Sequence, residues 1–305
     1  MNSTTTMFIE RTSSSAESNP GRLGDYIQMV KPRISALVLL TVAVGGFVAS
    51  WAQPQLLTLL NAVFGTALVA TSATIWNQWI ERNSDLLMER TADRPVATGR
   101  ISEWETKAVG AGTVIGGLLF LSLAVNLNTA FIAATTWVLY VLAYTPMKRR
   151  SSWNTLVGAI PGALPVLIGW SATGRPFDVR AVALFMVVFL WQFPHFMSIA
   201  WLYRKQYGDA GIKMITVVDP SGKRAGIQAV VGAMALLPVS LVPAAMSPPS
   251  LVYVITSLIL GGMFLVAAIR FRNERNDQTA RHLMRTSLIY LPTVMLGLAC
   301  IPLMS

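Results

Sequence analysis

Charged residues are absent from six long stretches of this sequence, and their absence constrains the fold more than any other feature. Together these charge-free, mostly apolar stretches make up about two thirds of the chain, whose overall charged fraction is only 12%. The runs cover residues 34–80, 108–147, 151–174, 181–203, 225–269 and 286–305. Because a mostly apolar run of roughly 18 or more residues is typical of a membrane-spanning helix, the sequence predicts a polytopic all-α membrane protein.

Three of the runs are long enough for two spans each, and each is interrupted near its middle by polar residues or prolines. The interruptions are Gln53-Pro54-Gln55, Asn126-Leu127-Asn128 and Ser247-Pro248-Pro249-Ser250. The other three runs hold one span each, and none of the six shows the alternating pattern of a transmembrane barrel strand. We therefore predict nine transmembrane helices, at about 34–51, 56–80, 107–126, 129–146, 154–173, 181–203, 225–246, 250–270 and 284–303.

The basic residues predict the orientation of these helices. Of the 24 lysines and arginines, all but Arg175 and Arg180 fall in the N-terminal segment or in the loops that follow the second, fourth, sixth and eighth predicted helices. Cytoplasmic loops carry the excess of Lys and Arg, so the N-terminus is predicted to be cytoplasmic and the C-terminus outside. This asymmetry and contact with anionic lipid explain the net charge of +10, and no nucleic-acid partner is expected.

The N-terminal residues differ from the rest of the chain. Residues 1–20 are rich in Ser and Thr and are predicted to be a disordered tail, whereas residues 21–305 are predicted to form a single nine-helix domain. Residues 22–31 have an apolar face that suits a short helix lying on the membrane surface. That face consists of Leu23, Tyr26, Ile27 and Val30.

A row of oxygen-bearing side chains follows the second predicted helix. Asn77, Glu81 and Asp85 are spaced four residues apart, so they share one helical face with a drift of only about 40° per step. Such a row can hold Mg²⁺, which takes its remaining ligands from water and substrate phosphates. Arg90 and Arg94 follow and suit phosphate contacts. A solvated helix end with ordinary surface charges is the alternative, and the spacing alone does not choose.

Two further groups have both a functional and a structural interpretation. Lys148 and Arg149 follow the fourth helix and are either a second set of phosphate-binding cations or a cytoplasmic anchor. His195 lies within the sixth span, nine residues from the nearest charged residue. Ionisable residues inside a span are functional candidates by default, although a hydrogen-bonded packing histidine is the main alternative.

These motifs resemble the UbiA-type intramembrane prenyltransferases over about residues 26–303. The segments that carry the resemblance are Tyr26 with Lys31-Pro32-Arg33, Asn77 with Glu81, Asp85, Met88-Glu89-Arg90-Thr91 and Arg94-Pro95, Tyr144-Thr145 with Lys148-Arg149, Trp191-Gln192 with Pro194-His195-Phe196, and Tyr207 with Ala210-Gly211 and Met214. The segment around His195 is similar to the branch of the family that farnesylates haem. The resemblance implies a helical bundle around a central cavity.

The resemblance also implies a reaction: transfer of a farnesyl group from farnesyl diphosphate to the 2-vinyl group of haem B, forming haem O, with Mg²⁺ as cofactor. The implied metal ligands are Asn77, Glu81 and Asp85, and the implied catalytic cations are Arg90, Arg94, Lys148 and Arg149. The residues expected to contact substrates are Lys31, Arg33, Tyr144, His195, Tyr203, Lys205, Gln206, Tyr207 and Asp209.

Location and partners follow from the same resemblance. A bacterial plasma (inner) membrane is expected, with the mitochondrial inner membrane as the alternative, and membrane lipid as the surroundings. Haem A synthase or the terminal oxidases that receive the product are the implied protein partners. Two other functions stay open: a UbiA-type enzyme with an aromatic or quinone-precursor acceptor, and a transporter. Paired halves with matching broken helices, typical of many transporters, are not evident.

Two positions depart from the family pattern. The middle residue of the first motif is usually Asp but is Glu81 here, which keeps the carboxylate one methylene further from the backbone. The residue before Tyr207 is usually Asp but is Gln206 here, and an amide oxygen can coordinate a metal without supplying charge. Asp209, three residues further, is a candidate substitute for the missing carboxylate.

Overall fold

The computed structural model describes residues 21–300 except residues 52, 54 and 246–249. Throughout this part of the chain the regular structure is helical. The helices are α1 (Arg22–Val30), α2 (Pro32–Ala49), α3 (Leu56–Asp85), α4 (Glu103–Ala124), α5 (Leu127–Met147), α6 (Asn154–Ala172), α7 (Val179–Leu202), α8 (Arg204–Asp209), α9 (Ile215–Val218), α10 (Lys223–Ala245), α11 (Leu251–Glu274) and α12 (Asp277–Cys300). Within the described residues, nine of them are long and apolar enough to cross a membrane, all except α1, α8 and α9. The predicted all-α class and number of spans are therefore confirmed.

The helix ends differ from the prediction where helices continue past the apolar runs. Helix α3 extends to Asp85, and α12 begins at Asp277 rather than near residue 284. Hydrophobicity marks the lipid-embedded part of a helix, whereas the last turns are stabilised by contacts with neighbouring loops. The predicted break in the second run is confirmed, because Asn126 caps α5 by accepting a hydrogen bond from the Thr129 amide.

Helix α1 is the predicted short helix before the first span. Leu23 and Ile27 are exposed on one side, as expected of a helix that faces lipid. On the other side the Met29 carbonyl accepts hydrogen bonds from Thr74 Oγ1 and Gln78 Nε2, both at 2.9 Å. These two bonds fix α1 to α3. The predicted tail before it, residues 1–20, lies outside the described residues.

Helix α6 is the most buried of the nine spans and lies against α2, α5 and α7. Pro161 and Pro165 lie inside this helix without interrupting it. Its contact with α2 depends on glycine: a Cβ on Gly169 would lie 1.8 Å from the Val42 carbonyl oxygen. Small residues allow helix backbones to approach closely in membranes, and this approach is part of what holds the middle of the bundle together.

The close approach of α2 and α6 gives a testable prediction. We expect Gly169→Ala to destabilise the protein by about 1–3 kcal/mol, because its methyl group can be placed only by moving the Val42 backbone. Gly116→Ala is the matched control, since a Cβ there meets nothing within 4 Å. Thermal unfolding of the detergent-solubilised variants measures the difference. Equal melting temperatures for the two variants would contradict the prediction.

Candidate active site

The three predicted metal ligands lie together on the last turns of α3. Asn77, Glu81 and Asp85 are all buried, with exposures of 1%, 8% and 0%. Because α3 continues past the apolar run, the four-residue spacing is kept and the three side chains share one face. Buried carboxylates need partners. Each of the three side chains has a basic partner, and the three partners come from different parts of the chain.

The first basic partner, Lys31, stands between α1 and α2. Its backbone is in the left-handed region, with φ of 51°, which is uncommon for a residue other than glycine. This turn joins α1 to α2, and the Lys31 Nζ donates to Asn77 Oδ1 at 3.0 Å. Burial lowers the pKa of Lys31 to about 7. Strained backbone of this kind is common at binding sites, and here it accompanies a half-buried amine beside Asn77 of α3.

The second basic partner, Lys148, follows α5. Its Nζ lies 2.7 Å from Glu81 Oε1 and 4.7 Å from the centre of the Tyr144 ring. Burial lowers the pKa of Lys148, but the Glu81 carboxylate outweighs burial and leaves that pKa above its ordinary value. The Tyr144 ring rests on α6 at Gly158, where a Cβ would lie 2.5 Å from Tyr144 Cε2. The lysine therefore stays charged between a carboxylate and an aromatic face.

The third basic partner, Arg94, belongs to the loop after α3. Its Nη1 lies 2.7 Å from Asp85 Oδ2, and both side chains are largely buried. Arg90 precedes Arg94 in the same loop, and its guanidinium carbon lies 4.8 Å from the centre of the Tyr203 ring. The loop thus extends from the end of α3 to the end of α7. Both predicted arginines are held by contacts with other predicted site residues.

Three loops meet at this end of the bundle. Met88 from the first loop packs in one apolar cluster with Tyr207 and Met214 from the third. The Lys213 amide donates to the Lys148 carbonyl at 2.7 Å, which joins the third loop to the second. The sequence predicts chemistry at the loops after α3, α5 and α7, and the structure brings those loops together.

The residues at the end of α3 fit a divalent cation. Asp85 Oδ1 and Gln206 Oε1 are buried oxygens without a hydrogen-bond partner among the described residues. A buried unpaired oxygen is costly unless something binds it. Across the part of the chain that the structure describes, no group of three His, Cys, Asp or Glu side chains could hold a metal. A Mg²⁺ site here would combine the Asn77 amide with Glu81 and Asp85, and Mg²⁺ needs few protein ligands because water and phosphate complete its shell.

Other predicted residues lie apart from these contacts. Arg33, Arg149, Lys205 and Asp209 are exposed and, within the described residues, have no side-chain hydrogen bond or ion pair. Arg149 follows Lys148 by one residue, which turns it by about 100° on a helical path, away from the face that meets α3. Their roles remain predictions. His195 lies deeper, on α7, where its Nδ1 is 2.7 Å from Ser287 Oγ on α12.

Sequence reasoning missed two side chains that position the site. Thr145 is buried, and its Oγ1 accepts a hydrogen bond from Asn77 Nδ2 at 3.3 Å, which directs the Asn77 Oδ1 towards Lys31. Thr145 precedes Lys148 by three residues, and this spacing puts both on the same side of the chain. Arg100 is the other, and no pattern around it indicates its role because its buried partner, Asp25, is 75 residues away.

Arg100 fastens the arginine-bearing loop to α1. Its Nε donates to Asp25 Oδ1 at 2.9 Å, and its Nη1 donates to Asp93 Oδ1 at 2.7 Å. Asp25 is only 4% exposed. Through these two contacts Arg100 links α1, which ends just before Lys31, to Asp93, the residue before Arg94. Two of the three cations near α3 are therefore mechanically connected.

We expect Arg100→Ala to lower the free energy of unfolding by about 1–3 kcal/mol, because the buried Asp25 carboxylate would lose its partner. The loop of residues 86–102 should also become more sensitive to protease. Arg22→Ala is the control. The Arg22–Glu105 pair joins α1 to α4, but the Arg22 side chain is 73% exposed, so the pair should contribute little to stability. Similar stability and cleavage in the two variants would contradict the prediction.

The sequence is similar to that of known proteins. Residues 38–291 match the UbiA prenyltransferase family. A protoheme IX farnesyltransferase from Solibacter usitatus (strain Ellin6076) is 43% identical over 279 residues, covering 88% of this chain and 96% of that protein.

Solved structures share the fold. One, concerned with digeranylgeranylglyceryl phosphate synthase in membranes, has a TM-score of 0.78 at 18% identity and covers 93% of this chain and 99% of its own. A UbiA homolog from Archaeoglobus fulgidus bound to GPP and Mg²⁺ has a TM-score of 0.64 at 16% identity, covering 90% and 99%. At these identities the likeness concerns the fold alone. The family match over most of the chain and the relative's similarity along nearly its whole length decide the matter: this membrane protein belongs to the UbiA prenyltransferase family.

Proposed function

We propose that this protein transfers the farnesyl group of farnesyl diphosphate to the 2-vinyl group of haem B and so forms haem O. The observation that carries the proposal is the buried row of Asn77, Glu81 and Asp85, faced by basic side chains from three parts of the chain. Acids that bind a metal, beside cations that bind phosphate, suit a prenyl diphosphate. The Solibacter relative, named a protoheme IX farnesyltransferase, supports haem as the acceptor.

In this proposal Asn77, Glu81 and Asp85 hold Mg²⁺. When bound, the ion supplies positive charge to the diphosphate and makes it a better leaving group. The UbiA homolog from Archaeoglobus fulgidus was solved with GPP and Mg²⁺, which supports this assignment. Among the described residues Asp85 Oδ1 has no hydrogen-bond partner, so it can coordinate the ion without first losing one.

The basic side chains neutralise the leaving group. As the bond between farnesyl C1 and oxygen breaks, the electron pair stays with the diphosphate, and its growing charge is stabilised by cations that are already in place. Lys148 and Arg94 are each within 2.7 Å of an α3 carboxylate, so both can turn to a diphosphate bound there without a large movement. Arg90 and Arg149 complete the proposed set.

The farnesyl cation must then be protected from water until the acceptor reacts. The rings of Tyr144 and Tyr203 already face cations, Lys148 and Arg90, so they lie where an aromatic face can stabilise a carbocation. The π electrons of the haem 2-vinyl group form the new carbon–carbon bond to farnesyl C1. Water adds to the resulting cation beside the porphyrin ring and loses a proton, which gives the hydroxyethylfarnesyl side chain.

The setting of the reaction is part of the proposal. The protein is an integral membrane protein, and the bacterial origin of the relatives favours the plasma membrane. Residues 21–305 form one catalytic domain with its N-terminus and the active-site loops in the cytoplasm. The product then passes to haem A synthase or to terminal oxidases.

The proposal is tested with purified protein in lipid nanodiscs, supplied with haem B, farnesyl diphosphate and Mg²⁺. We expect a farnesylated haem product by mass spectrometry, and loss of product when Mg²⁺ is chelated. Parallel incubations use 4-hydroxybenzoate and a quinone precursor as acceptors. Turnover of these acceptors without turnover of haem would refute the haem assignment, and no transfer to any acceptor would refute prenyl transfer itself.

Gln206 offers a prediction about metal affinity. We expect Gln206→Asp to lower the Mg²⁺ concentration needed for half-maximal rate by several-fold, because the buried and unpaired amide oxygen would be replaced by a carboxylate. Asp209→Asn is the comparison variant, since Asp209 is exposed and is the alternative second carboxylate. A Mg²⁺ requirement that rises in Asp209→Asn but is unchanged in Gln206→Asp would assign the role to Asp209 instead.

A further inference from the structure

His195 takes no part in the contacts around α3, yet its ring is held on two sides. Its Nδ1 lies 2.7 Å from Ser287 Oγ on α12, and it stacks on Trp191 with ring centres 4.7 Å apart. Trp191 is itself fixed, because its Nε1 donates to the Ser287 carbonyl at 2.8 Å. The plane and the direction of the imidazole are therefore set by α7 and α12 together.

The hydrogen bonds of Ser287 decide which nitrogen of His195 carries the proton. The Ser287 hydroxyl lies 2.6 Å from the Met284 carbonyl oxygen and 2.7 Å from His195 Nδ1. Each short contact needs a hydrogen; a carbonyl oxygen has none, and a serine hydroxyl has one. The hydroxyl donates to Met284, so Nδ1 must donate to the hydroxyl. In the neutral ring the lone pair is then on Nε2.

Nε2 has no hydrogen-bond partner among the described residues, and the His195 side chain is only partly buried. An imidazole whose Nδ1–H is held by an acceptor and whose Nε2 is free has the arrangement of a metal-ligating histidine. His195 is seven residues from the end of α7 at Leu202, which is about 10 Å along the helix. It therefore lies on the apolar side of the loops that hold Arg90 and Tyr203.

We propose that His195 Nε2 is an axial ligand of the iron in the haem acceptor, and that Ser287 is the positioning residue that fixes the required tautomer. This inference rests on the proposed function, because it needs haem as the substrate. It assigns a site for the acceptor that is distinct from the diphosphate-binding end of α3. Trp191 stacks on the His195 ring and so limits its rotation.

The experiment follows haem binding directly, in the absence of farnesyl diphosphate. Ferric haem B is titrated into the full-length protein in nanodiscs, and the absorbance and electron paramagnetic resonance spectra are recorded. We expect histidine-ligated haem in the unaltered protein, loss of that signature in His195→Ala, and its return when imidazole is added to the variant. We expect Ser287→Ala to weaken haem binding by about 10-fold, as is typical when the partner of a ligating histidine is lost.

Two further variants distinguish the effect of losing the Ser287 hydroxyl from the effect of disturbing side-chain packing. Ser287→Thr keeps a hydroxyl and should bind haem with near-normal affinity. Ser240→Ala is the matched control, because Ser240 is also fully buried in a span and donates to a carbonyl three residues back, Leu237 at 2.8 Å, but has no histidine partner. Equal weakening in Ser287→Ala and in either of these variants would overturn the positioning role.

Product mass in the same preparations separates this inference from the proposed function. Farnesyl transfer to haem together with an unchanged spectrum in His195→Ala would refute the ligation alone. Haem binding that depends on His195, without transfer to haem by the unaltered protein, would refute the proposed function alone.

Discussion

Asp85→Asn is expected to lower kcat for farnesyl transfer by about 100- to 1,000-fold, the usual cost of removing one preorganised electrostatic contact at a reacting group. The substitution keeps the shape of the side chain and removes its charge. Asp85 is fully buried, and its Oδ1 has no partner in the described part of the chain while its Oδ2 lies 2.7 Å from Arg94 Nη1. The variant therefore removes negative charge from the proposed metal site and weakens the hold on the loop arginine. Initial rates measured over a range of Mg²⁺ concentrations check the expectation, and the Mg²⁺ requirement should rise.

The control for Asp85→Asn is Glu89→Gln, which removes a carboxylate from the same loop at an exposed position without a partner among the described residues. Its activity should stay within about two-fold of normal, as is usual for surface substitutions. A thermal unfolding curve for each variant confirms that the bundle is intact. Comparable activity in the two folded variants would remove Asp85 from the proposed site.

The second large effect is expected at Lys148. Lys148→Gln removes a cation from the diphosphate site and leaves the Glu81 carboxylate buried without its partner. We expect a loss of activity of at least 100-fold. We also expect a loss of stability of about 3 kcal/mol, because breaking one half of a buried pair leaves an uncompensated charge. Activity and stability therefore both fall in Lys148→Gln, and a second variant is needed to tell the catalytic effect from the effect on stability.

The double variant Glu81→Gln with Lys148→Gln makes that separation. It replaces both charges, so stability should return towards normal, whereas activity should stay low because the metal site lacks the Glu81 charge and the diphosphate lacks the Lys148 cation. Arg150→Gln, at an exposed position two residues from Lys148, is the control and should be near normal in both measurements. Recovery of activity in the double variant would show that Lys148 acts only by pairing with Glu81.

Much of the site could be predicted because it is local. The row of Asn77, Glu81 and Asp85 needs only the helical period, and the structure shows it on one face of α3. The partner of each residue could not be predicted in the same way. Asn77 meets Lys31 across 46 residues, and His195 meets Ser287 across 92 residues. Such contacts depend on which helices are neighbours, and helical spacing within one segment carries no information about that.

The four predicted cations illustrate the same limit. In the sequence Lys148 and Arg149 are equivalent neighbouring cations. In the structure Lys148 pairs with Glu81 and Arg149 is exposed. The chain leaves α5 in a helical path through Thr145, and one residue changes the direction of a side chain by about 100°. Arg100 joins α1 to the loop of Arg94, and it acquires this role only from its contacts with Asp25 and Asp93 in the folded chain.

The sequence by itself determined the class of the protein and the number of its spans, and it predicted the end of the bundle where the proposed site lies. It could do so because transfer into lipid is decided locally, residue by residue, over a run as long as the bilayer is thick. Only the tertiary structure decided that Lys31, Arg94 and Lys148 converge on one face of α3 and that Ser287 on α12 lies against Nδ1 of His195. Within lipid no hydrophobic difference separates one helix neighbour from another. Partners are therefore chosen by close contacts such as that of Gly169 with Val42 and by buried polar pairs.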